Sequence, residues 1–258
     1  MADLVRRCHE RPARLSKDDL TPLRNIAGDA ALDYVLVLGG FHFINRMADL
    51  LHVDSEFVPD ALSRIGFMRR VAIFVASKLF TRMDLVNRPY DRTFEQACRE
   101  MQPAFRRATG RDLDGDLDPL RARPKLVEVL RLALEERDVA SSLPRSVTAR
   151  VHALVEEYLP SRAEEADGFH ARPADPLEAF VFVGTRYAAR TTPEMIQRLR
   201  GIGYDDVGIL DLATAVADAN QWARLHRLLG LPRDILAPQL PRAGIARAEH
   251  EPLAAAAD

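Results

Sequence analysis

Two short stretches carry the side chains best placed to do chemistry. In "RTFEQACREMQ" (92–102), Glu95 stands three residues before Cys98, so a helix puts both on one face. There Glu95 could act as the base for a Cys98 nucleophile. No histidine lies nearby in sequence, and a half-buried helix cysteine more commonly serves as a small hydrophobe. In "HALVEEY" (152–158), His152 and Glu156 fall one helical turn apart, with Glu157 and Tyr158 adjacent. That spacing suits a metal pair or general acid–base work. An isolated pair of this kind more often makes a salt-linked surface face.

Three other groups draw attention. Cys8-His9-Glu10 has metal-friendly side chains, but on a terminus it carries little weight. His42 lies between Phe41 and Phe43, just after Gly39-Gly40. Each glycine inside a helix costs about 1 kcal/mol relative to alanine, so the pair predicts a close backbone approach or a kink. His42 is then an interface or pocket histidine. Arg46 and Arg224 are each embedded in an apolar helix, where a charge must be paired or sit at a rim. Asp33 and Asp211 lie thirteen residues before these arginines, too far to pair along one straight helix. Cross-pairs such as Arg46 with Asp211 are the structural expectation.

The elements that must position these groups read as helices. "RPKLVEVLRLALEERDV" and "VTARVHALVEEYL" place apolar residues at i, i+3, i+4 and i+7 between charges. Alternating runs separated by hairpin turns are missing. Thr192-Pro193-Glu194 reads as a helix start, and Ser16 and Asp19 have capping-box spacing. The fold class is therefore all-α. "GRDLDGDLDPLRARP" (110–124) reads as a surface loop. The expected organisation is an N-terminal helical half (1–110), a linker (111–124), a C-terminal helical half (125–232) and a mobile tail (233–258).

At 258 residues with a net charge of −2, the chain offers no electrostatic case for nucleic acid. Lysine occurs only at Lys17, Lys78 and Lys125, so the arginine excess reads as coding bias before phosphate recognition. The N-terminal stretch lacks a signal-peptide core. The most apolar runs, "YVLVLGGF" (34–41) and "VAIFVASKLF" (71–80), fall short of the roughly 20 residues that span a bilayer. Cys8 and Cys98 make no disulfide framework. No membrane is expected, and the reducing cytoplasm is the expected compartment. No phosphate-cradling glycine loop, Gly-x-Ser-x-Gly elbow or Cys-x-x-Cys occurs, and no cofactor is expected.

"FHFINRMADLLHV" (41–53) comes back 178 positions later as "ANQWARLHRLLGL". Ile44 matches Trp222, Met47 Leu225, Leu50-Leu51 Leu228-Leu229, Val53 Leu231, and Arg46 Arg224. Upstream, Leu32-Asp33 matches Leu210-Asp211, and with a two-residue gap "LRNIAG" (23–28) lies against "LRGIGY" (199–204). Apolar matches alone follow from helix periodicity. The paired Leu-Arg, Leu-Asp and Arg point to an internal duplication, in which residues 16–53 and 192–231 form matching helical hairpins.

Both copies resemble the closing helices of the alkylhydroperoxidase D-like proteins, the carboxymuconolactone decarboxylase superfamily. "FHFINRMADLL" is similar to the family phrase F-N-F-x-N-R-x-A-D-x-L-G, with His42 in place of the usual Asn. The second copy keeps Asn220, Arg224 and "LLGL", and "TTPEMIQRLRGIGYDDVGILDLATAVA" (191–217) looks like the family's "TPE…LR…G…D…ILD" stretch. The resemblance covers about 40 residues in each half. It implies an AhpD-like helical bundle that forms symmetric homo-oligomers. In the peroxidase branch, a Cys-x-x-Cys-x-x-x-His motif reduces hydroperoxides: a thiolate attacks the peroxide and a second thiol resolves the sulfenic acid.

Here the chain departs from the pattern. If His170 is the motif histidine, the cysteine positions hold Ala163 and Ala166; if His152 is, they hold Arg145 and Thr148. Neither frame contains sulfur. The expected function is a binding or assembly module with a possible small-molecule ligand. The alternatives are a cysteine-independent acid–base enzyme of carboxymuconolactone decarboxylase type, using His152 with Glu156 or Glu157, and a one-cysteine peroxidase using Cys98.

Overall fold

The computed structural model describes residues 2–52, 90–160 and 172–235, with 136–140 described by their backbone alone. Among these residues every regular element is helical, as the 3.6-residue periodicity requires. The α-helices are α1 (Ala2–Glu10), α2 (Thr21–Ala27), α3 (Ala31–Leu51), α4 (Phe94–Thr109), α5 (Pro124–Ala140), α6 (Arg145–Tyr158), α7 (Pro176–Arg186), α8 (Pro193–Gly201) and α9 (Asp206–Leu229). Short 3-10 turns join several of them, including Pro12–Arg14, Lys17–Leu20 and Ala188–Arg190.

Local chemistry sets the helix starts. The Ser16 hydroxyl and the Asp19 carboxylate close a capping box over the turn Lys17–Leu20. At the head of α8, Thr192 accepts from the Met195 N–H and Pro193 fills the first helical position. Thr93 and Gln96 form another box at the head of α4. The two long helices end alike, each on a left-handed residue: His52 (φ 50°) after α3 and Gly230 (φ 70°) after α9.

Helices α3 and α9 form the spine, and neither belongs to one half. The first apolar core joins α1, α2, α4 and α5 to Leu32 and Val35 at the head of α3 and to Leu225 and Leu228 at the tail of α9. The second joins α6, α7 and α8 to Phe43, Met47 and Leu50 at the tail of α3 and to Ile209 and Leu212 at the head of α9. The two helices therefore run antiparallel, each beginning in one core and ending in the other. Gly39 lets them close: a Cβ there would lie 2.9 Å from Leu225 Cδ1, whereas nothing stands within 4 Å of one at Gly40. Gly184 in α7 serves the same end, since its Cβ would meet Val216 and Leu50.

This arrangement corrects the expected partition. Core packing does not break at 111–124, because α5 packs in the same core as α1 and α4. Nor is that stretch a free loop: Leu117 and Leu120 are buried, and Arg111 ties Asp116 to Asp234. Ile235 is buried too, so the chain stays packed past residue 233; positions 236–258 lie outside the described residues, as do Val53 and the apolar run 71–80. Taken as one run, Lys17–Leu51 is long and apolar enough to cross a membrane by length and composition, which the sequence runs did not suggest. Its α3 portion buries Val35, Gly39, Phe43 and Met47 inside the protein and leaves Tyr34, Val37 and Phe41 exposed.

Candidate functional site

The cysteines stand in surroundings that quiet them. Cys98 is half-buried on α4, and burial raises its thiol pKa, which lowers the thiolate fraction available for attack. Glu95 shares its helix face but is exposed. Its own backbone N–H and a 2.8 Å bond from Arg121 Nη1 hold its pKa down, which makes it a poor base. Cys8 is fully buried, and desolvation pushes its thiol up to about 11.

His152 and Glu156 share α6, yet Glu156 is committed elsewhere. Its carboxylate accepts from Arg227 at 2.6 and 3.1 Å and meets His226 Nε2 at 3.3 Å. Burial alone would raise its pKa, but His226 and Arg227 hold it down at about 2. His152 is buried, Glu157 is exposed, and Tyr158 donates to Glu178 Oε1 at 2.7 Å. Among the described residues, no three His, Cys, Asp or Glu side chains gather as a metal site. His170, Ala163 and Ala166 lie outside the described residues.

The expected Arg46–Asp211 pair does not form. Asp211 accepts from the backbone N–H and hydroxyl of Ser142, at 2.6 and 2.5 Å, and Asp33 pairs with Arg123 at 2.9 Å. Arg46 reaches instead to backbone, donating from Nη1 to the carbonyls of Gly184 and Thr185 at the end of α7. Arg224 does the corresponding thing from the other helix of the spine: its Nε donates to Cys8 O, in the last turn of α1, at 2.9 Å. Each arginine thus caps the C-terminus of another helix, where orphan carbonyls and the negative end of the dipole favour a cation. Arg224 Nη1 also donates to Asn220 O at 2.7 Å and approaches Asn220 Oδ1 at 3.3 Å, while Asn220 Nδ2 reaches Thr185 Oγ1 at 3.2 Å.

These two guanidinium groups converge on one cavity of about 180 Å³, at the seam of α1, α3, α7 and α9. His9, Glu10, Thr185 and Arg186 line it with them. Arg224 is only 3 % exposed. Desolvation, and then repulsion from Arg46, brings its pKa down to about 9; desolvation brings Arg46 to about 10. Among the described residues neither arginine has a carboxylate within ion-pair distance, and Arg46 Nε is buried without a hydrogen-bond partner. His42 lies close enough to feel both: burial and then Arg224 and Arg46 lower its pKa to about 3, so it stays neutral. The site is a concentration of buried positive charge with donors to spare.

Sequence reasoning singled out Arg46, Arg224, Asn220 and His42 but read the arginines as partners for acids. It gave His9 and Glu10 little weight and did not reach Thr185 or Arg186. A signal for them was present: carried further upstream with the same two-residue gap, the repeat sets Cys8 opposite Gly184, His9 opposite Thr185 and Glu10 opposite Arg186. Comparison with family models, curated proteins and solved structures finds no match to this chain.

Proposed function

We propose that the chain is a duplicated AhpD-like protein that has lost the dithiol hydroperoxidase centre and works as a small-molecule-binding module. The observation that carries this reading is the crossed pair of arginine caps. Arg46 stands 178 positions before Arg224, and the carbonyls they bind, Cys8 and Gly184, stand 176 apart, the offsets of the repeat on either side of its two-residue gap. The capping residues Ser16 and Thr192, and the turns Pro12–Arg14 and Ala188–Arg190, keep the 176 offset; the ends of α3 and α9 keep 178. Two copies packed as a pseudo-dimer, each long helix capping the partner copy, account for every one of these coincidences. The cavity lies where the copies meet, and no cysteine lines it.

Hydroperoxide reduction with a dithiol donor tests the loss of chemistry. Native protein, Cys98→Ser and Cys8→Ser should all show no turnover above the uncatalysed rate. Turnover that disappears in Cys98→Ser alone would make the protein a one-cysteine peroxidase and overturn this reading.

A further inference from the structure

The geometry points to a site for a small dianionic oxyanion in the cavity between Arg46 and Arg224, on the pseudo-twofold axis that relates the proposed copies. The inference rests on the binding-module reading. Beside Pro160, the lining side chains fall into three pairs at the repeat offsets: Arg46 with Arg224, His9 with Thr185, and Glu10 with Arg186. A cavity on such an axis receives the same helix faces from both sides, which brings the two arginines to one point.

Three features select the ligand. The first is charge. Among the described residues the lining holds the guanidinium groups of Arg46 and Arg224, neither with a carboxylate in ion-pair distance, beside Arg186 and one carboxylate, Glu10. Glu10 is itself drawn toward Arg6, at 3.9 Å, on the outer side of α1. Arg186 is held by its Nε bond to Tyr158 O at 2.9 Å and lies over the Phe182 ring.

The second feature is donor geometry. Capping occupies Nη1 of Arg46 and Nε and Nη1 of Arg224, and among the described residues Nη2 of each has no assigned bond. Each Nη2 amino group can donate a charge-assisted bond to an oxyanion oxygen, so the two arginines offer one donor group apiece. The third is size. A cavity of about 150 Å³ accommodates a benzene-sized molecule, so 180 Å³ suits phosphate or a short dicarboxylate. The matched donors Arg46 and Arg224, one from each proposed copy, suit a ligand with an oxyanion group at each side, or one tetrahedral group between them.

Titration calorimetry on the full chain tests this with phosphate, sulfate, malonate and succinate, each at constant ionic strength against sodium chloride. At least one dianion should bind saturably with one site per chain, and chloride should not. Preference for phosphate and sulfate would assign a tetrahedral ligand; preference for malonate or succinate would assign a dicarboxylate. Arg46→Lys and Arg224→Lys keep the charge but lose the planar Nη2 donor, and each should weaken binding about tenfold or more. Where a lysine variant loses its helical circular dichroism, Glu10→Gln serves in its place. It removes the one negative charge among the described lining residues, replaces neither capping arginine, and should tighten binding.

Absence of saturable dianion binding would overturn the proposal, as would binding that none of these substitutions changes. The two readings fail separately. Cysteine-dependent turnover would sink the binding-module reading whatever the calorimeter shows, and a silent calorimeter with no turnover sinks the anion site alone.

Discussion

Gly39 and Gly40 are neighbours in the sequence and differ in what surrounds them. Alanine at Gly40 meets open space and gains helix propensity, which should stabilise the protein by about 0.5–1 kcal/mol. Alanine at Gly39 drives a methyl against Leu225, a core side chain 1 % exposed, and overpacking of this kind costs about 1–3 kcal/mol. Urea unfolding of Gly39→Ala and Gly40→Ala should therefore move the midpoint in opposite directions. His42 offers a second test at this scale. The folded protein holds it neutral to about pH 3, while the unfolded chain takes up its proton below about 6.5. Its stabilising contribution is thus complete above pH 6.5 and is lost as the pH falls toward 3. His42→Gln should flatten the dependence of unfolding free energy on pH across that window, by up to about 1.4 kcal/mol per pH unit.

Helix ends were the most legible elements, because capping is local. Ser16 with Asp19, and Thr192 with Pro193, announced their starts within four residues, and the structure places a cap at both. Ser16→Ala and Thr192→Ala should each cost about 0.5–2 kcal/mol in thermal or urea unfolding. What the elements do to one another was not legible. Arg46 and Arg224 drew notice as buried charges, but a charge can be met by carbonyls as well as by carboxylates, and nothing near Arg46 in sequence names Gly184. Glu156 shows the same limit: its periodicity with His152 is local, while its partners His226 and Arg227 lie some 70 residues away. Its folded pKa near 2 against an ordinary 4.5 gives stability that is present above pH 4.5 and lost as the pH falls toward 2. Glu156→Gln should remove that acid limb, on the order of 2–3 kcal/mol at neutral pH.

At the scale of the whole molecule, periodicity made the all-α class readable, and composition could not reveal that the two cores share their longest helices. The stretch 110–124 has the glycine, proline and aspartate of a linker, yet Leu117 and Leu120 pin it into the first core. A linker and a packed loop share that composition, and only the burial of two leucines separates them. The exchange of α3 and α9 between cores brings Arg46 to Arg224 and makes the cavity, so the site exists only while both cores stand together. Equilibrium urea unfolding, followed at once by far-UV circular dichroism and by the fluorescence of Trp222, the chain's single tryptophan, tests this directly. Trp222 is 4 % exposed on α9 and belongs to the first core, whereas helical signal comes from both. The two probes should trace one coincident transition. Two resolved transitions, with Trp222 reporting only one of them, would show that the halves fold apart and contradict the shared spine on which the site depends.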